Sequence, residues 1–163
     1  MRVYLPSTLS LLAAALDAGV IDTDVGYAVT PSLREWYTEG DLEALEYVAT
    51  AAAARESLRL LADSAGPARR VVIAAEVADG GVRPAPGLAR AAVRLTAPVR
   101  MADVVSAHVD DGTAQDDVRR GVAALAAAEA GDEDGQLTVD GAEDHELAWY
   151  AAQELNALVE LES

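Results

Sequence analysis

The apolar and polar positions of this chain alternate in short β-type runs between longer stretches of helical period. Arg2-Val3-Tyr4-Leu5 has the makings of a strand, closed by Pro6, and Ser7 then offers a cap for a helix whose Leu9, Leu12, Ala13 and Leu16 share one face up to Gly19. Residues 26–29 predict a second strand. Thr30-Pro31 predicts a helix start, a capping hydroxyl followed by proline at the first helical position, and this short helix presents Leu33, Trp36 and Tyr37 to the core before Gly40.

The strongest helical period runs from Asp41 to about Asp63, with Ala44, Tyr47, Ala51, Ala54, Leu58 and Leu61 three or four apart. Its acids lie early and its arginines late, as the helix dipole favours. Gly66-Pro67 forbids continuation. Residues 70–77 (RVVIAAEV) predict a central strand, and residues 79–92 read as loop, with two prolines and three glycines. Short strands are predicted at 93–95 and 104–109. Thr113 caps a helix with Asp116 and Asp117 in its first turn and Val118, Val122 and Leu125 on one face, ending by Gly131. Residues 132–146 fit loop, strand and helix in turn. Leu147 to Tyr150 favours a strand, and residues 151–162 favour a terminal helix. Strands and helices interleave without a regular βαβ period, so the expectation is an α+β fold: a single mixed β-sheet of about four to six strands with helices packed on it.

At 163 residues the chain suits a single domain, 1–163, with enough Leu, Val, Ile and Ala for a core. The charge is distributed unevenly. Residues 1–54 carry eight acids and two arginines (net −6), residues 55–102 eight arginines and four acids (net +4), and residues 103–163 sixteen acids against Arg119 and Arg120 (net −14), which together make the −16 of the chain. The acidic C-terminal third repels nucleic acid and anionic membranes and attracts cations or basic protein surfaces. Arginine without lysine, abundant alanine and an acidic balance are also what a GC-rich genome writes into unrelated proteins, but that background does not produce the asymmetry.

The absent residues narrow the chemistry. With no cysteine there is no disulfide, thiol nucleophile or thiolate metal site. All twelve basic residues are arginine, so Schiff-base chemistry, a lysine base and a phosphate-loop lysine are excluded. No GxSxG elbow is present. The apolar run near the N-terminus is too short for a signal peptide, and no stretch approaches a membrane span, so a cytoplasmic protein without membrane contact is expected.

Three clusters are candidate sites. Asp132, Asp134, Gln136, Asp140 and Glu143 fall on the side-chain places of a calcium-binding helix–loop–helix, with Thr138 placed to lend its carbonyl. Leu137 stands where that loop needs a glycine for its sharp turn, which favours a solvated acidic connection instead. His108 and Asp110 would share one face of a strand, and His145 stands beside Glu146; brought together, two imidazoles and two carboxylates would make a sensible metal or acid–base site. No cofactor is predicted beyond such a possible metal. Arg83, Arg90, Arg94 and Arg100, with Arg69 and Arg70, surround the 79–92 loop and could bind an anion. Alternatively they pair with the protein's own acidic third, the reading preferred here because the complementary charges are already in the same molecule.

The segments MRVYLP, YAVTPSLREWY, LEALEY, RRVVIAAEV and EDHELAWYAAQEL resemble those of a family of small uncharacterised acidic actinobacterial proteins, a likeness that runs over essentially the whole chain. The resemblance implies no activity, cofactor or site residue. Two functions are therefore carried forward. One is a binding or regulatory module that acts through protein–protein contacts, presenting carboxylates to a basic protein surface with no direct nucleic-acid contact. The other is a small metal-assisted hydrolase or transferase built on His108, Asp110, His145 and Glu146.

Overall fold

The structure, a computed structural model, describes residues 1–162. Along the chain it forms β1 (Arg2–Ser7), α1 (Leu9–Ala18), β2 (Val20–Ile21), β3 (Val25–Tyr27), α2 (Pro31–Trp36), α3 (Leu42–Leu61), β4 (Val71–Glu76), β5 (Val82–Pro84) and β6 (Ala92–Leu95). Then follow β7 (Val99–Arg100), β8 (Val104–Asp110), α4 (Gln115–Glu129), α5 (Glu133–Glu143), β9 (Leu147–Ala151) and α6 (Leu155–Glu162). Seven strands make one sheet in the order β5-β6-β3-β1-β4-β8-β9, while β2 and β7 pair separately as a small arm.

The α+β expectation holds, with two corrections to the sheet. Every ladder is antiparallel, so the sheet is not mixed. It also has seven strands rather than four to six, because β5 lies in the glycine- and proline-rich stretch that reads as loop. Pro6 does not close β1 but sits within it, opposite Val72, where the β1–β3 ladder, registered only at Tyr4 and Tyr27, has lapsed and no donor is needed on that side.

The central strand β4 is apolar on both faces because both are covered. Val71, Ile73 and Ala75 join Leu9 and Leu12 of α1 and Leu155 and Leu158 of α6. Val72 and Ala74 join Tyr4, Tyr27, Leu33 of α2, and Leu45, Ala49 and Ala53 of α3. A third cluster joins the C-terminal end of α3 (Leu58, Leu61) to the α4–α5 hairpin through Val118, Leu125, Val139 and Ala142. Ser57, fully buried, ties α3 to the sheet: its hydroxyl donates to the Ser7 carbonyl at 2.7 Å and accepts from the Val71 amide at 3.0 Å.

Capping residues fix several helix starts. Thr8, not Ser7, caps α1 by accepting from the Leu11 amide; Ser7 remains the last residue of β1. Thr30, Asp41 and Asp132 cap α2, α3 and α5 in the same way. Ahead of α4, Asp111 rather than Thr113 supplies the capping oxygen, to a 3-10 turn. The buried stripe of α3 runs through Leu45, Ala49, Ala53, Ala54, Ser57, Leu58 and Leu61, which turns Tyr47 out to solvent instead of into the core. Trp36 and Tyr37 are likewise exposed rather than buried. Among the described residues no helix is long and apolar enough to cross a membrane.

Candidate functional site

A cleft of about 540 Å³ opens where α3 crosses the sheet beside β8 and the α5–β9 turn, lined by Tyr47, Thr50, Arg70, His108, Glu143 and His145 among others. Strand alternation sets its floor. On β8, Ala107 and Val109 point into the α1/α6 layer, so His108, opposite Val72 and Trp149 in register, points to the α3 side. The end of α5 and the turn after it bring Glu143, Asp144, His145 and Glu146 to one wall, and α3 supplies the other.

The two histidines that the sequence singles out both line this cleft, as does Glu146. Asp110 does not join them. It is fully buried, and its carboxylate is consumed by Arg70: Oδ2 accepts from the Arg70 amide at 2.8 Å and from Nε at 2.9 Å, while Oδ1 accepts from Nη2 at 2.8 Å. Arg70 Nη2 also donates to the His145 carbonyl at 2.9 Å, so the same buried guanidinium holds the α5–β9 turn against β4. The His145 ring pairs with Asp117 of α4, Nε2 to Oδ2 at 2.8 Å, and this contact holds the Asp117 carboxyl below its usual range. Among the described residues no three His, Asp or Glu side chains converge to hold a metal.

Among the described residues the His108 ring has no hydrogen-bond partner, and no unpartnered side-chain nitrogen is sealed from solvent, so the ring faces the cleft open to a ligand. Burial lowers its pKa, which keeps the imidazole neutral at physiological pH. Across the cleft, burial raises the Glu143 carboxyl, against the opposing pull of Arg55 and Arg70. Glu143 Oε1 accepts from Arg55 Nη1 at 3.0 Å, and Arg55 also reaches Glu129 at 3.8 Å.

The calcium reading of 132–143 is overturned by the local structure. These residues are the cap and body of α5, not a loop: Asp132 accepts from the Gly135 amide, Gln136 donates to Asp140, and Glu143 is paired with Arg55. On a helix, Asp132 and Glu143 stand roughly 16 Å apart along the axis and cannot share one ion. The anion patch does not assemble either. Arg100 grips Asp103, Arg69 pairs with Glu162, and Arg90 stacks 3.7 Å from the Trp36 ring centroid. Arg83 and Arg94 do stand together, as directly opposed residues of β5 and β6, but at the opposite edge of the sheet from β8 and β9. For Arg69, Arg70 and Arg100 the expected pairing with the acidic third is what the structure has.

The sequence reading missed Tyr47, Arg70, Asp117 and Glu143 as members of this site. Arg70 carried a signal, a charge directly ahead of an apolar central strand, where burial demands a partner. Asp117 carried none, since it reads as an ordinary first-turn helix acid.

No curated protein and no solved structure matches the chain. The model of one family does match, over residues 1–159 of 163, and its description is "Family of unknown function (DUF6912)". The segments quoted above all fall within that match, and by this measure the chain belongs to that family of unknown function.

Proposed function

We propose that the protein is a binding module that acts through protein–protein contacts and receives a basic segment of its partner at the cleft. The carrying observation is the charge left over there. Arg70 is neutralised by Asp110 and Arg55 by Glu143 and Glu129, while Asp144 and Glu146 stand exposed at the rim with no ion pair among the described residues. Tyr47 lines the same cleft with a ring that is 74% exposed, and Trp149, opposite His108 on β9, carries a ring that is 60% exposed. Carboxylates beside open aromatic faces suit a guanidinium or ammonium group, and Trp and Tyr are the side chains that most often anchor protein interfaces. His108 adds a neutral imidazole that can donate or accept one hydrogen bond.

The acidic C-terminal third would draw such a partner in and repel nucleic acid and anionic membrane. A cytoplasmic setting belongs to the same reading. The test is a titration with a labelled arginine-rich peptide across a range of salt. Affinity should fall steeply as salt rises and drop further in the Asp144→Asn, Glu146→Gln double variant. Equal binding at low and high salt, or in the variant, would sink the reading.

A second reading, a small metal-assisted hydrolase or transferase, draws on His108, His145 and Glu146 lining one cleft. It would have to do without Asp110. Elemental analysis, with melting curves in zinc, magnesium and chelator, decides it: no bound metal and no shift removes it.

A further inference from the structure

The two edges of the main sheet are built differently. At one edge, β5 is three residues long and carries Arg83 and Pro84, both devices that discourage pairing with another strand. At the other edge, β9 runs Leu-Ala-Trp-Tyr-Ala, five residues with no charge and no proline. An uncharged aromatic edge left bare invites strand addition, and the opposite edge of this same sheet is guarded against it.

The register says which backbone groups are on offer. The Asp110 amide donates to the Arg70 carbonyl, so on β8 Asp110 and His108 turn their backbone groups to β4, and Val109 and Ala107 turn theirs to β9. Val109 stands opposite Ala148 and Ala107 opposite Tyr150. Leu147 and Trp149 therefore direct their N–H and C=O groups away from the sheet, and among the described residues these groups meet no other backbone partner. The side chains of Leu147 and Trp149 share a face with His108, so the open edge runs alongside the cleft.

We propose that β9 is a docking edge. An extended basic segment of the partner joins the sheet there as an eighth strand, bonds to Leu147 and Trp149 through its main chain, and sets a cationic side chain against Asp144 and Glu146. In an extended strand every second side chain falls on one face, so the segment recognised alternates basic and apolar residues, the basic ones on the cleft side. Charge selects this occupant over a second copy of the chain, because joining β9 to β9 would bring two C-terminal segments, each of net charge −14, edge to edge. The proposal rests on the reading of the protein as a binder of basic partners and specifies how that binding is made.

The test follows backbone amide exchange by NMR in the full chain, at low salt, with a synthetic peptide of alternating arginine and valine and a glutamate–valine peptide as control. Ala148 and Tyr150 are protected by β8 from the start. With the arginine peptide, exchange at Leu147 and Trp149 should slow by about tenfold or more. Binding that leaves those two amides unchanged would overturn strand addition and leave the binding reading standing. No binding of the arginine peptide would overturn both, and protection that already grows with protein concentration alone would give the edge to a second copy. Trp149→Pro removes the outward donor without touching a bond to β8, so it should weaken the peptide about tenfold more than Trp149→Ala. Equal affinities of the two variants would also count against the proposal.

Discussion

Arg70 and Asp110 form a buried two-pronged pair, Nε to Oδ2 at 2.9 Å and Nη2 to Oδ1 at 2.8 Å, with side chains 3% and 0% exposed. It closes the ladder between β4 and β8 where Asp110 also accepts from the Arg70 amide, and the same Nη2 donates to the His145 carbonyl. Removing one partner strands the other charge in a dry site. Asp110→Asn should therefore cost about 3–5 kcal/mol in chemical denaturation. The Arg70→Met, Asp110→Leu double variant should recover most of that loss, since no orphaned charge remains. A double variant as unstable as the single one would show that the pair's worth lies in its hydrogen bonds to the turn rather than in charge balance.

The pH dependence of stability isolates His108. Tyr47, Arg70, Glu143, His145 and Glu146 face the same cleft, and burial is what lowers its pKa from the ordinary 6.5. A group with a depressed folded pKa contributes stability that is present above its unfolded value and lost as the pH falls through its folded one. Acidification from pH 7.5 to 5.5 should therefore cost the native protein more melting temperature than the His108→Gln variant. The comparison is between proteins because easing the repulsion in a chain of net charge −16 acts on both. Parallel curves would show that the imidazole is not desolvated in solution.

Glu143 behaves in the opposite sense. Its carboxyl is raised by burial, so the stability it contributes is full below its unfolded pKa and lost as the pH rises through the folded value. At neutral pH the ionised group is a burden that Arg55 only partly offsets. Glu143→Gln should leave the melting temperature at pH 7 unchanged or slightly higher, because Arg55 retains Glu129. A clear drop would mean that the Arg55 ion pair outweighs desolvation.

How much of this could be read from the chain depends on where the determining contact lies. Helix starts were legible at Thr30-Pro31 and Asp41 because a cap is local: side chain, amide and sequence spacing define it together. The central strand at 71–76 was legible because a strand covered on both faces must be apolar throughout. Helix α5 was not, since two glycines and a run of acids left 132–146 open between loop, strand and helix, and its helicity is settled by packing against α4, where a Cβ on Gly135 would lie 3.0 Å from the Ala128 amide nitrogen, a tight contact. The exposure of Tyr47 escaped for a similar reason. In an alanine-rich helix several stripes look alike, and the sheet, not the spacing, selects the buried one. At the site, the two histidines and Glu146 were legible as chemistry, but Asp110 was assigned to them because its real partner, Arg70, lies forty residues away.

The α4–α5 hairpin offers a test of packing that needs no knowledge of the ligand. Gly121 on α4 faces Ala142 on α5 so closely that an added Cβ would lie 2.8 Å from the Ala142 Cβ. Two helices meeting over such a contact must separate to admit a methyl group, which costs about 1–3 kcal/mol and exceeds the helix-propensity gain of about 1 kcal/mol. Gly121→Ala should therefore destabilise the protein. Gly141 also lies on α5, but a Cβ there meets nothing within 4 Å. Gly141→Ala should accordingly stabilise by about 0.5–1 kcal/mol, since only the entropic handicap of a helical glycine is removed. Urea denaturation of the two variants reads both signs in one experiment. Stabilisation by both would mean that α4 and α5 do not pack as closely in solution as these positions require, and the wall of the cleft that carries Glu143 and His145 would lose its support with them.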